Sequence, residues 1–187
     1  MHIRHDHSYP VHTPELRKMV FASLFAALTA AGAYMQIPIP FSPVTVTLQV
    51  FFVLLAGSLL KSKWGSLSMI VYTLLGVAGL PVFAGGSSGV GVLLGPTGGY
   101  IFGFILAAYL IGKLSEKAES AGKSGFAVNG LNMSAGVLVI YTLGVIQLML
   151  VAEIGPWAAL TLGTLPFLPG EVVKTAVATY IASNHKI

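Results

Sequence analysis

The sequence has no cysteine, only two tryptophans, and so few charged residues, 9% of 187, that a water-soluble domain is excluded at the outset. Soluble domains carry roughly 25%. Without cysteine there is no disulfide framework, thiolate metal site or cysteine nucleophile. Regular alternation of apolar and polar residues is also lacking, which disfavours strands and with them an outer-membrane barrel. What fills the chain is hydrophobic, at 55% of all residues.

A membrane-crossing helix needs about 20 mostly apolar residues, so with connections of roughly 8 to 10 the length accommodates about six spans and no separate soluble domain. Six apolar stretches are present, near residues 19–36, 44–60, 65–80, 97–112, 131–154 and 170–183. They are long and unbroken, and lipid obliges each segment to satisfy its own backbone hydrogen bonds, so all six are predicted to be helices. The expected fold is an all-α integral membrane protein, a single six-helix transmembrane domain over residues 1–187 with a polar, histidine-containing segment at 1–16.

The net charge of +4 would suit nucleic acid in a soluble protein, but here the placement of the basic residues carries the information. Arg4, Arg17 and Lys18 precede the first span, Lys61 and Lys63 follow the second, Lys113, Lys117 and Lys123 follow the fourth, and Lys186 follows the sixth. Nine of ten basic residues thus share one side, and the positive-inside rule makes that side, and both termini, cytoplasmic. Prolines divide the other way: Pro38, Pro40, Pro43, Pro81, Pro96, Pro156, Pro166 and Pro169 lie in or beside the three outer connections, as rigid turns and helix starts. Trp64 and Trp157 suit the two interfacial belts. Arg17, Lys18 and the AGA string at 31–33 also resemble a secretory signal peptide. Removing that segment would leave five spans and reverse the charge pattern, so it is expected to stay as a signal anchor.

The sequence carries no nucleotide-binding motif. GVGVLLG at 89–95 misses the dinucleotide-binding glycine spacing by one residue, and AGKSG at 121–125 has Lys117 where a phosphate loop requires its first glycine. Transport driven by ATP would therefore need another subunit.

The strongest chemical signal is charge inside a span. A lysine at the bilayer centre costs about 2.5 to 3.5 kcal/mol on insertion scales and is tolerated mainly when paired or functional. Lys174 lies within the sixth span, and Glu171, three residues earlier, falls on the same helix face and near the helix N-terminus, where the dipole favours a carboxylate. The pair either neutralises itself or offers a site for a small solute carrying a carboxylate, for Lys174, and N–H donors, for Glu171. The glycine-rich segment 83–100, with Phe83, Gly86, Ser87, Ser88 and Tyr100, favours the second reading, because glycine lets backbone N–H groups approach a ligand. Thr45, Thr47 and Gln49 of the second span suit the same cavity or interhelical hydrogen bonds equally well. Gly95, Gly99, Gly103 and Ala107 form a small-residue stripe assigned to helix packing. A second stripe, Ala22, Ala26 and Ala30 with Ala27 and Ala31 beside it, suits internal packing or docking of another membrane subunit. Four N-terminal histidines with Asp6 could ligate a transition metal, but a solvated polar tail is the expected reading.

Four strings, IPIPFSPVTVTLQ at 37–49, GLPVFAGG at 79–86, LLGPTGGYIFGF at 93–104 and PFLPGEVVK at 166–174, resemble the BioY family, the biotin-binding S components of energy-coupling factor (ECF) transporters. The resemblance spans about residues 17–183. It implies a plasma-membrane protein, with no cofactor and no enzymatic activity, that captures biotin from the outer face. It further implies a transmembrane coupling subunit and paired cytoplasmic ATPases as partners, the former meeting Ala22, Ala26 and Ala30. Carried over by position, the substrate-binding residues are Glu171, Lys174 and Ser87, in a cavity completed by Gly86, Gln49, Tyr100 and Phe83. Two departures stand out: Glu171 replaces the family's usual aspartate, and Ile101 occupies a position after GGY that is basic in some members. The opening Met1–His2–Ile3 resembles cobalt and nickel S components, which keeps a metal-uptake alternative open.

Overall fold

The computed structural model describes residues 14–185, and the long apolar runs in that range are helical. In chain order the elements are α1 (Pro14–Tyr34), β1 (Gln36–Ile37), β2 (Val46–Thr47), α2 (Gln49–Val77), α3 (Val90–Leu94), α4 (Gly98–Ser120), α5 (Phe126–Ala152), α6 (Pro156–Gly163) and α7 (Leu168–Asn184). Short 3-10 turns cover Ala84–Gly86 and Leu165–Phe167. By length and composition α1, α2, α4 and α5 are able to cross a membrane. Leu131, Leu138, Leu150, Val172 and Val173 are exposed on the outside of the bundle, as lipid contact requires.

α2 is one helix in name only. In a straight helix Gln49 and Tyr72 would stand about 34 Å apart, yet their side chains are hydrogen-bonded. The reversal occurs at Lys61, which has φ 66° and ψ −174°. A Cβ on Gly65 would lie 2.8 Å from the Ala56 carbonyl oxygen, so residues 62–77 run back along residues 49–60 in close contact. These two arms are the second and third apolar runs of the sequence. Left-handed backbone is costly for a lysine, and α4 holds it in place: Glu116 Oε1 accepts from Ser62 N at 3.0 Å and Ser62 Oγ at 2.7 Å. Glu119 pairs with Lys61 Nζ at 2.6 Å.

α4 packs between α2 and α5, α1 covers α2, and α7 closes against α2 and α5. Small residues set these distances. A Cβ on Gly99 would reach 2.2 Å from the Leu143 carbonyl oxygen, and one on Gly103 2.8 Å from Ile140 Cα. The packing stripe of the fourth span is therefore real for Gly99 and Gly103, with buried Ala107. Gly95 departs from it, because it ends α3 and precedes α4.

Two expectations need correction. The fold is not purely α, since the Pro-rich first connection pairs β1 with β2 in antiparallel register, Gln36 opposite Thr47 and Ile37 opposite Val46. Proline denies that stretch a helix. Trp64 is buried, so of the two tryptophans only exposed Trp157 keeps the character of an interfacial anchor.

Candidate ligand cavity

At the end of the bundle opposite the Lys61 turn, the sequence Thr164–Leu165–Pro166–Phe167 winds into the first turn of α7 and places Glu171 there. Lys174 follows one turn later and forms an ion pair with Glu171 Oε1. Its ammonium also donates to the Thr47 carbonyl at 2.9 Å. Both side chains are deeply buried, Glu171 at 3% and Lys174 at 8% exposure. Charges withdrawn from solvent persist only when paired, and pairing accounts for one carboxylate oxygen. The other, Oε2, has no hydrogen-bond partner among the described residues. One lysine donor is likewise left over, since an ammonium carries three and two are engaged. The Tyr141 hydroxyl stands beside the same carboxylate, and the pair turns an acceptor oxygen and a lysine donor toward the cavity.

The floor next to the pair is a hydrogen-bonded relay. Thr47 Oγ1 donates to Gln49 Oε1 at 3.1 Å, Gln49 Nε2 donates to Tyr72 Oη, and Tyr72 Oη donates to the Val82 carbonyl at 3.2 Å. Gln49 lines the cavity, but its amide is engaged within this scaffold. Phe83 is buried, with its ring edge-on to Tyr72 at 5.6 Å. The ring sits over Gly76, where a Cβ would come within 2.1 Å of it. Tyr100 donates to the Gly163 carbonyl at 2.8 Å, fastening α4 to α6. Its ring meets Tyr141 at 5.9 Å, and Tyr141 in turn meets Phe167 at 6.3 Å.

The glycine-rich segment forms the rim. Gly85 and Gly86 adopt φ of 70° and 73° in the turn after Phe83, a conformation glycine alone takes without penalty. Ser87 Oγ donates to the Ala84 carbonyl at 2.8 Å. Gln147 of α5 ties the segment down, with Nε2 donating to the carbonyls of Leu93 and Gly95, each at 2.7 Å. On the other side Ser42 Oγ donates to the Leu162 carbonyl at 2.7 Å, so the first connection reaches across to α6.

These surfaces enclose a cavity of about 580 Å³, within the range of small-ligand sites. Of the residues singled out in the sequence, Glu171, Lys174, Ser87, Gln49, Tyr100 and Phe83 line it. Gly86 does not: a Cβ there would face the Tyr34 ring at 3.7 Å, while neighbouring Gly85 is part of the wall. Ile101 also lines the wall. Tyr72, Tyr141 and Gln36 belong to the cavity too, and their only sequence signal was a polar group in or beside an apolar run.

In the small-residue stripe of α1, two positions follow the internal-packing reading. Ala22 and Ala26 are buried at 4% and 1%, and Ser68 Oγ donates to the Ala22 carbonyl at 2.7 Å. That face packs on α2, and Ala30 is half-buried. The small residues left on the surface are Ser23, Ala27 and Ala31.

The family model described as the BioY family matches residues 5–186. The chain belongs to the BioY family. Among its members, the biotin transporter BioY of Thermotoga maritima is 45% identical over 172 residues, covering 91% of this chain and 96% of its own. The probable biotin transporter BioY of Pyrococcus horikoshii is 43% identical over 168 residues, covering 90% and 95%. The fold is also similar to the crystal structure of the S-component for biotin from an ECF-type ABC transporter, with a TM-score of 0.85, 27% identity and 91% of each chain covered. Like its BioY relatives, the chain is a multi-pass membrane protein.

Proposed function

We propose that this protein is a non-enzymatic, biotin-capturing membrane subunit that takes the vitamin from the outer face and delivers it inward. The observation that carries this reading is the buried Glu171–Lys174 pair, with an unpartnered carboxylate oxygen, in an otherwise largely apolar cavity of about 580 Å³. A ureido ring offers an N–H donor next to a carbonyl acceptor, and the pair offers the complement. Glu171 Oε2 accepts from the ureido N–H and the spare Lys174 donor meets the ureido oxygen. Assigning Lys174 instead to the valerate carboxylate conflicts with its ion pair, because the ureido and carboxylate groups of biotin are separated by the bicycle and four methylenes. Phe83, Tyr100 and Tyr141 supply the apolar walls for the bicycle, and Ser87 lies at the rim.

The names of the BioY relatives, and the ECF-type transporter to which the similar structure belongs, support the same solute and setting. In this reading six helices cross the membrane, counting the arms of α2 separately, with both termini cytoplasmic. A coupling subunit docks on α1 and a pair of ATPases supplies the energy. The docking face is the exposed Ser23, Ala27 and Ala31 stripe, because Ala22 and Ala26 are already covered by α2. The first connection acts as a lid, latched by Ser42. The metal alternative rests on His2, which lies outside the described residues, and the matched relatives are named for biotin.

The test is a calorimetric titration of the purified, ligand-free protein in detergent with biotin, with nickel and cobalt salts in parallel. Saturable one-to-one biotin binding is expected. No biotin binding, with metal binding lost on removal of the N-terminal histidines, would replace this reading.

A further inference from the structure

Granted the biotin reading on which it rests, we propose that the site also takes carboxamides of biotin: uncharged biotinamide, and biotinyl-lysine, whose charges lie on its lysine part beyond the amide. Three observations carry this. First, Lys174 is the only lysine or arginine among the described residues that line the cavity, and it is already held by Glu171 and the Thr47 carbonyl. A ligand carboxylate brought to that ammonium would stand against the Glu171 carboxylate in a buried setting, where like charges repel strongly. Ile101 lines the wall with an apolar side chain and offers no charge to a carboxylate.

Second, what remains for the far end of the ligand is uncharged. Gln36 and Ser88 line the exposed rim, with side-chain donors that bond to no other described residue. Amide and hydroxyl donors serve an amide carbonyl as well as a carboxylate. The buried pair and the exposed rim also set the direction: the ureido end goes in, and the acyl end faces the surface.

Third, there is room. Even if each of biotin's sixteen non-hydrogen atoms took the roughly 30 Å³ of a liquid water molecule, the ligand would fill about 480 Å³, less than the cavity's approximately 580 Å³. A substituent on the acyl carbon has space at the rim and an exit beyond it.

The experiment titrates the ligand-free protein in detergent with biotin, biotinamide and biotinyl-lysine by calorimetry. All three are expected to saturate a single site, with biotinamide within fivefold of biotin. A free cation dedicated to the carboxylate would make the amide at least roughly tenfold weaker, so a loss greater than fivefold for biotinamide, with biotin still saturating, overturns the proposal. Failure of biotin itself to bind overturns the parent reading instead, so the two failures are distinguishable. The variant Ile101→Lys adds a cation to this wall and is expected to raise the preference for biotin over biotinamide more than fivefold. An unchanged ratio in the folded variant would place the acyl end away from this wall and count against the proposal.

Discussion

Lys174 donates to the carbonyl oxygen of Thr47, 127 residues earlier in the chain, at 2.9 Å. The cation of the cavity is thereby fastened to β2, the last residues of the connection that crosses the cavity mouth. A ligand that engages the ammonium acts on the same group that anchors this connection.

Replacing the lysine tests what it recognises. Lys174→Ala is expected to weaken biotin and biotinamide alike, by roughly 10- to 150-fold, the value of a hydrogen bond to a charged group at about 1.5–3 kcal/mol. Calorimetry on both ligands decides the matter. A loss confined to the free acid would return Lys174 to the carboxylate.

The acid is tested by length and by charge. Glu171→Asp keeps the charge and shortens the reach, and saturable biotin binding is expected to survive. Glu171→Gln leaves Lys174 as a buried unpaired charge, for which a destabilisation of about 3–5 kcal/mol is expected. Thermal unfolding in detergent reads this loss, and an unchanged midpoint for Glu171→Gln would mean that the pair contributes little to the fold.

On α1, two neighbouring alanines should behave oppositely. Ala26→Leu inserts methylenes into a packed interface and is expected to cost about 1–3 kcal/mol of stability. Ala27→Leu alters an exposed position, leaving fold and biotin affinity intact while reducing co-purification with the coupling subunit. Normal co-purification of the Ala27 variant would move the docking face elsewhere.

The latch predicts a kinetic effect. Ser42→Ala removes the hydrogen bond to the Leu162 carbonyl, worth about 0.5–1.5 kcal/mol, and biotin is expected to leave roughly 2- to 10-fold faster. Stopped-flow displacement measures this directly. An unaltered off-rate would show that the connection does not gate release.

Some of this was determined by the sequence alone, because it is encoded locally. Hydropathy over about 20 residues specifies a membrane helix whatever its neighbours are, and three-residue spacing in a helix brings Glu171 and Lys174 together without tertiary help. Glycine beside an aromatic likewise marked the rim. Tertiary structure decided the rest. Residues 22, 26 and 30 and residues 23, 27 and 31 form adjacent stripes on one helix, and periodicity defines both without saying which meets α2. A lysine at φ 66° has no local signature, since the clamp that holds it comes from Glu116 and Glu119 on another helix. Gly85 and Gly86 are equivalent as letters, yet only one faces the cavity. That Lys174 is already engaged depends on a backbone carbonyl 127 residues away, and a backbone carbonyl is present in every residue and so cannot be read from any one of them.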